Sequence, residues 1–244
     1  MRTYKQSGFT IIELMLFLAI TGALTVGILV GSSSAIGRQR YRDSVTSFKG
    51  HVQEQYGQIA NVVNSEVNNL VCTQSGNTVQ LEDESQQPRG TSDCLLMGRF
   101  LLIEGTSITT YNLIGQPIPG ASGGDDTTTL SSYALAIQAP ETYDISWGAR
   151  IVNPQSTDDS LASVLIVRSP LSGSILTYVQ DGDYRVNIRD MLNDTNMEPK
   201  DFCVDSGAGP VVGKRLAVRI NARAANQSAI EIPLDSLEES PVCD

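Results

Sequence analysis

An α+β fold is predicted: one long N-terminal helix, its first half able to cross a membrane, packed on a C-terminal antiparallel β head. Three observations predict it. Residues 9–30 form an apolar run with one charged side chain, Glu13. From Val45 to Leu70, apolar residues recur every third or fourth position, which is the spacing of a helical stripe. From Leu95 onward, short β-patterned runs alternate with turn clusters such as Pro119 to Asp126 and Gln180 to Asp183.

The apolar run comes first. Its length suits a membrane span of about 20 residues. Arg2 and Lys5 precede it and Arg38 is the next cation after it. The positive-inside tendency therefore places the first eight residues in the cytoplasm and the head outside. Glu13 is the anomaly, because a carboxylate near the centre of a span costs roughly 2.5–3.5 kcal/mol on insertion scales. A cleaved signal peptide with its processing site at Ser32 to Ala35 leaves the run too long and the acid unexplained. A plain signal anchor also leaves the acid unexplained. A cut after Gly8 explains it: the new ammonium on Phe9 lies one helical turn from Glu13.

The stretch Gly8-Phe9-Thr10-Ile11-Ile12-Glu13-Leu14, behind a short basic leader, resembles the class III signal of type IV prepilins and type II secretion pseudopilins. The resemblance covers about 30 residues. It implies a pilin-like fold and cleavage by a prepilin peptidase between Gly8 and Phe9. It further implies N-methylation of Phe9, and pairing of Glu13 with the N-terminal amine of an adjacent subunit. The implied partners are the peptidase, other pilin or pseudopilin subunits and an inner-membrane assembly platform. The implied role is structural, without enzymatic activity or cofactor. The chain would first be a single-pass membrane protein and then part of a surface filament. The corresponding divisions are a leader at 1–8, a transmembrane and assembly helix at 9–37, an amphipathic second half at 38–71 and a head at 72–244. The late segment from Lys214 to Ile232 resembles minor pilins, so a minor pilin is the expected subunit type. A type II secretion pseudopilin is the alternative within the family. A membrane-anchored β-rich binding domain or enzyme is the alternative outside it.

A second pattern bears on assembly. Ala19, Ala23, Gly27, Gly31 and Ala35 recur at every fourth residue. That places small side chains together on a helix face, the arrangement that lets membrane helices approach closely. No proline occurs before Pro88, so nothing in this helix breaks it outright. Arg38, Arg40 and Arg42 follow the span, placed to snorkel at the interface.

Beyond Arg38 the apolar stripe comprises Val45, Phe48, Val52, Tyr56, Ile59, Val63, Val67 and Leu70. It predicts a helix continuing to about Leu70. The polar segment 73–93 reads as a surface loop between Cys72 and Cys94. Strands are predicted at 95–104, 107–113, 133–138, 143–152, 161–168, 174–179, 184–188, 215–222 and 228–234. In the last pair, Leu216, Val218 and Ile220 can face Ile230, Ile232 and Leu234 only across a loop with an odd number of residues. Three or five residues around Ala225 to Gln227 are expected.

Four cysteines behind an export segment suggest two disulfides. They allow three connectivities. Short-loop closure favours Cys72–Cys94 and Cys203–Cys243. With one histidine and no C-x-x-C pair, zinc spacing is absent. The acid pairs Asp125–Asp126, Asp158–Asp159 and Asp181/Asp183 match no EF-hand loop, so no metal site is assigned. The formal net charge of −10 disfavours nucleic acid as a partner. The one basic ladder, Arg215, Arg219 and Arg223, reads as the wet face of a half-buried strand. The stretch from Gly207 to Arg215 lacks the glycine and the Ser or Thr of a phosphate loop. His51, on the helix beside the apolar stripe, reads as structural.

Overall fold

The computed structural model describes residues 10–60, 70–75, 78–83, 95–121, 123–207, 215–233 and 243. Helix α1 runs from Ile11 to Ala60 without a break, about 75 Å at 1.5 Å per residue. Its two halves are different surfaces. Between residues 11 and 40 no side chain is buried. From there on Tyr41, Val45, Phe48, Val52, Tyr56 and Ile59 form a buried stripe at spacings of three and four, so one face of the helix meets a core and the other meets water.

Among the described residues the head has eleven strands in two sheets, and the α+β fold with a long apolar N-terminal helix is the one the sequence predicts. Sheet A has seven strands in the order β1-β2-β5-β4-β3-β7-β8. These are Leu70–Ser75, Thr78–Asp83, Tyr133–Asp144, Ser107–Pro117, Leu95–Glu104, Leu161–Arg168 and Ile175–Asp181 in that order. Sheet B has four in the order β11-β10-β9-β6, namely Ile230–Glu231, Leu216–Ile220, Lys200–Asp205 and Arg150–Val152. Neighbours are antiparallel apart from the single β2–β5 bridge, Thr78↔Leu135, which is parallel.

Side-chain alternation explains the layers. Leu101 and Ile103 of β3, with Ala162, Val164 and Ile166 of β7, face the helix stripe. Phe202 and Val204 of β9, with Val218 and Ile220 of β10, join the same core from sheet B. Phe48 meets Phe202 edge-on, with ring centroids 6.0 Å apart. The opposite face of sheet A carries Phe100, Leu102, Leu113, Leu165 and Val167. A short helix α2, Asp126–Ser131, covers it with Leu130, and the 3-10 turns Ile188–Met191 and Asp194–Met197 cover the rest. Sheet A is thus apolar on both faces, which is why β3 and β7 read as mostly apolar runs, interrupted by Arg99 and Ser163.

Several expectations need correction. Leu70 is the first residue of β1, not the last of the helix, while Val63 and Val67 lie outside the described residues. The segment expected as a loop after Cys72 holds most of a hairpin instead, with Cys72 opposite Leu81. Cys72 and Val79 bury against Ile114 and Ala134. Sheet pairing has overridden the helical spacing there. The predicted strand 143–152 is split, because a 3-10 turn at Ser146–Gly148 separates β5 from β6. The predicted strand 184–188 is absent. Ile188 opens a 3-10 turn, and its segment caps sheet A rather than extending it. Strand β9 has no counterpart in the sequence reading.

The final hairpin keeps the expected parity and departs from the expected length. Ile220 pairs with Ile230, so nine residues, 221–229, connect the strands, and a 3-10 turn at Gln227–Ala229 occupies their end. The odd count preserves apolar-to-apolar pairing. Ala224, buried within this loop, is what the longer connection delivers to the core.

Cys203 and Cys243 are joined, with Cα atoms 5.6 Å apart and a sequence separation of 40. Cys94 lies outside the described residues, so the companion pairing does too. The bridge sits on the sheet B face turned away from the helix, beside Val152 and Ala217. In the chain-entropy model, closing a loop of this length contributes about 3–4 kcal/mol. The double variant Cys203→Ser/Cys243→Ser is expected to lose that much in denaturant unfolding. A loss below about 1 kcal/mol would show that the C-terminal segment is held by other contacts.

Candidate functional site

The N-terminal turn of α1 is the first element to consider. Gly8 and Phe9 lie outside the described residues. Thr10 precedes the helix, and its hydroxyl accepts the Glu13 N–H at 3.3 Å. The Leu14 N–H reaches the Thr10 carbonyl at 3.2 Å. Thr10 therefore serves as the N-cap and Glu13 stands at the third helical position, the spacing of a capping box. A carboxylate in the first turn also complements the positive end of the helix dipole. The sequence reading missed this local role for Thr10, although the pattern T-x-x-E is visible in it.

Past this turn, no ionisable side chain occurs until Arg38. The helix is long and apolar enough to cross a membrane, with a mean hydropathy of 2.3 in its best window. Two hydroxyls inside it are satisfied locally. Thr21 Oγ1 donates to the Phe17 carbonyl at 2.9 Å, and Thr25 Oγ1 donates to the Thr21 carbonyl at 2.8 Å. Such bonds suit a helix in hydrocarbon, where backbone and hydroxyl groups find no water. Ala19, Ala23, Gly27, Gly31 and Ala35 are all exposed, and a Cβ added at Gly27 or Gly31 meets nothing within 4 Å. Each four-residue step advances about 40° around the axis. The five small residues thus wind gradually around the helix rather than sharing one strict line.

The junction with the head is made by Tyr41. Its hydroxyl donates to the Val204 carbonyl at 2.7 Å and accepts the Leu216 N–H at 2.6 Å. One side chain thus ties the helix to both β9 and β10. Farther along, the Tyr56 hydroxyl meets Thr177 Oγ1 at 2.9 Å, and Thr177 donates onward to the Ala224 carbonyl at 2.6 Å. His51 stacks on Tyr143, with centroids 4.3 Å apart, and its Nε2 lies 3.3 Å from Thr110 Oγ1. Burial holds its pKa below the ordinary histidine value, against the opposing pull of Glu54 and Glu141. That is the packing role expected of it.

Several charged groups of the head are engaged with one another. Arg219 meets Asp201 at 2.7 Å, directly across the β10–β9 ladder. Arg215 meets Asp205 at 3.4 Å and donates to the Ser156 carbonyl. Arg223 lies in the turn beyond β10, with φ 54°. Arg215 and Arg219 of the basic ladder are therefore paired with acids of β9, as cross-strand pairing would have it, while Arg223 leaves the strand. Asp125 caps α2, Asp126 accepts from Ser169 and Ser172, Asp159 meets Arg150, and Asp181 meets Lys200. Among the described residues, no three His, Cys, Asp or Glu side chains are grouped to hold a metal. An open groove of about 700 Å³ lies beside β5. Of its two guanidinium groups, Arg185 is bound to Asp183 at 2.6 Å and Arg189 donates to the Ser131 carbonyl.

Burial pushes the Tyr41 and Tyr56 phenols up to about 12 each, with the hydrogen bonds from Leu216 and Thr177 opposing the rise. An unfolded phenol ionises near pH 10. The folded chain holds these protons more tightly, so their stabilisation is complete below about pH 10 and is lost as pH rises toward 12. Tyr41→Phe should cost about 1–3 kcal/mol at neutral pH, because it leaves two backbone groups without their partner. The variant should also lose stability less steeply than the parent between about pH 10 and 12. Parallel alkaline profiles would contradict this assignment.

Residues 3–29 match the family model described as the prokaryotic N-terminal methylation motif. No curated protein and no solved structure matches the chain. The matched segment contains Gly8, Phe9, Glu13 and most of the exposed apolar half of α1. The motif and the helix that bears it give this chain the N-terminal signature of the type IV prepilin and pseudopilin class.

Proposed function

We propose that the protein is a minor pilin: a structural subunit cut between Gly8 and Phe9 by a prepilin peptidase, methylated on Phe9, stored in the inner membrane and drawn by an assembly platform into a surface filament. The observation that carries this reading is the methylation motif over residues 3–29, with its acid, Glu13, in a helix half that buries nothing within its own chain. A helix half of that composition, with twenty-eight of residues 11–40 exposed, requires a partner, first lipid and then neighbouring helices. In the filament, the Glu13 carboxylate pairs with the Phe9 ammonium of an adjacent subunit, an attraction strengthened by the low dielectric around it. Ala19, Ala23, Gly27, Gly31 and Ala35 supply the close-approach surface. The engaged charges of the head support a structural role over a catalytic one. The alternative, a type II secretion pseudopilin, uses the same N-terminal machinery.

Glu13 has two candidate duties, capping its own helix and pairing with a neighbour, and substitution separates them. Gln can occupy the third position of a capping box but carries no charge. Glu13→Gln and Glu13→Ala should both be cleaved, beginning at Phe9 by mass spectrometry, yet both should be scarce in sheared filaments relative to the membrane pool. Normal incorporation of Glu13→Gln alongside failure of Glu13→Ala would assign the residue to capping instead. A mature chain that begins elsewhere than Phe9 would sink the processing scheme.

A further inference from the structure

The chain has one tryptophan, Trp147, and it is displayed rather than buried. Its side chain is 59% exposed. It stands in the turn Ser146–Gly148 with φ 63°, a left-handed backbone that costs a non-glycine residue free energy. The turn is pinned on both sides, because Ile145 and Ala149 are buried in the main core. The strained turn therefore holds the indole outward by design of its flanks.

The place where it is held is informative. The Arg40 guanidinium lies 4.8 Å from the centre of the Trp147 ring. Arg38, Arg40 and Arg42 are all exposed. At 100° per residue, Arg40 sits on the tryptophan side of α1 while Arg38 and Arg42 sit on the far side. The three thus stand on two opposite sides of the helix within about 6 Å of its length, with Asp43 the only acid in the two turns around them. From Ile11 to Arg40 the helix rises about 44 Å, which equals a bilayer with its headgroup layers, about 40–45 Å. An indole and three guanidinium groups at that height match the residue types enriched at membrane interfaces. The rest of the head is acidic, so this is the face that an anionic surface accepts.

We propose that Trp147 and the girdle of Arg38, Arg40 and Arg42 form a docking face for phospholipid headgroups, seating the head on the bilayer that α1 spans. The indole lies at the level of the glycerol backbone, and the guanidinium groups bind lipid phosphates. The proposal rests on the single-span reading of α1. Docking fixes the tilt of the head while the subunit is stored, and it must be released when the subunit leaves the membrane.

The single tryptophan makes the test direct. The full chain is reconstituted into vesicles of phosphatidylcholine and phosphatidylglycerol, and flotation establishes insertion. Tryptophan emission should be blue-shifted, quenched by lipids brominated near the top of the acyl chain, and several-fold less open to acrylamide than a free tryptophan amide. Arg40→Glu should cut the bromolipid quenching about twofold or more, and Arg40→Lys should retain it, since each cation at an anionic surface contributes about 1 kcal/mol. A chain that floats while its tryptophan remains fully open to acrylamide and untouched by bromolipid overturns the docking face. Equal quenching in Arg40→Glu and Arg40→Lys removes the girdle from it. A chain that does not float overturns the span itself.

Discussion

One unbroken helix must satisfy two environments, and the bond between Tyr41 and the head marks where it changes from one to the other. Up to residue 40 the helix buries nothing; at Tyr41 its surface becomes a core stripe. The Tyr41 hydroxyl bridges the Val204 carbonyl and the Leu216 N–H, so the register of the helix against sheet B is set by a directional contact and not by apolar packing alone. A slip of one residue would turn the stripe by about 100° and break both hydrogen bonds. The height of the arginine girdle, the position of Trp147 and the level of the head above the apolar half all follow from that anchor.

The head is organised to hold the stripe. Sheet A presents one face to the helix and the other to α2 and the 3-10 turns, while sheet B closes the helix from the other side. Within sheet B, Phe202 and Val204 point to the helix, whereas Cys203 between them points away to Cys243. Alternation along three residues thus couples the core to the disulfide that ties down the C-terminal segment. The charges of the same strand, Asp201 and Asp205, neutralise Arg219 and Arg215. A strand of six residues in this way settles the basic ladder, the staple and part of the core.

The legible parts of the sequence were those with a local physical signature. The N-terminal methylation motif, the apolar run and the stripe from Val45 to Ile59 are periodic or contiguous, and the strands at Leu95–Glu104 and Leu161–Arg168 are long and strongly apolar. What failed depended on distant partners. Leu70 fits the helical spacing, yet pairing with Asp83 makes it a strand. Strand β9 has two inward residues around a cysteine, too few for a period to declare itself. Ile188 looked like a strand residue because covering a sheet and joining one require similar apolar content. At the functional end, Gly8 and Phe9 lie outside the described residues, Glu13 was singled out by its charge, and the Thr10 cap beside it was passed over. Trp147 gave no signal, since its exposure and its left-handed backbone arise only when Ile145 and Ala149 are both buried.

The division at Tyr41 carries a thermodynamic consequence. If the first half of α1 contributes nothing to the head, removing it should leave the core, the junction and the disulfide untouched. The most direct measurement is chemical unfolding of an exported chain that begins at Arg38, compared with the full chain in detergent. The account predicts a water-soluble head that unfolds in one cooperative step, with native near-ultraviolet dichroism and a stability within about 1 kcal/mol of the full chain, as expected for parts that share no contacts. A truncated chain that aggregates, or unfolds without cooperativity, would contradict it and would mean that residues before Arg38 help to hold the head together.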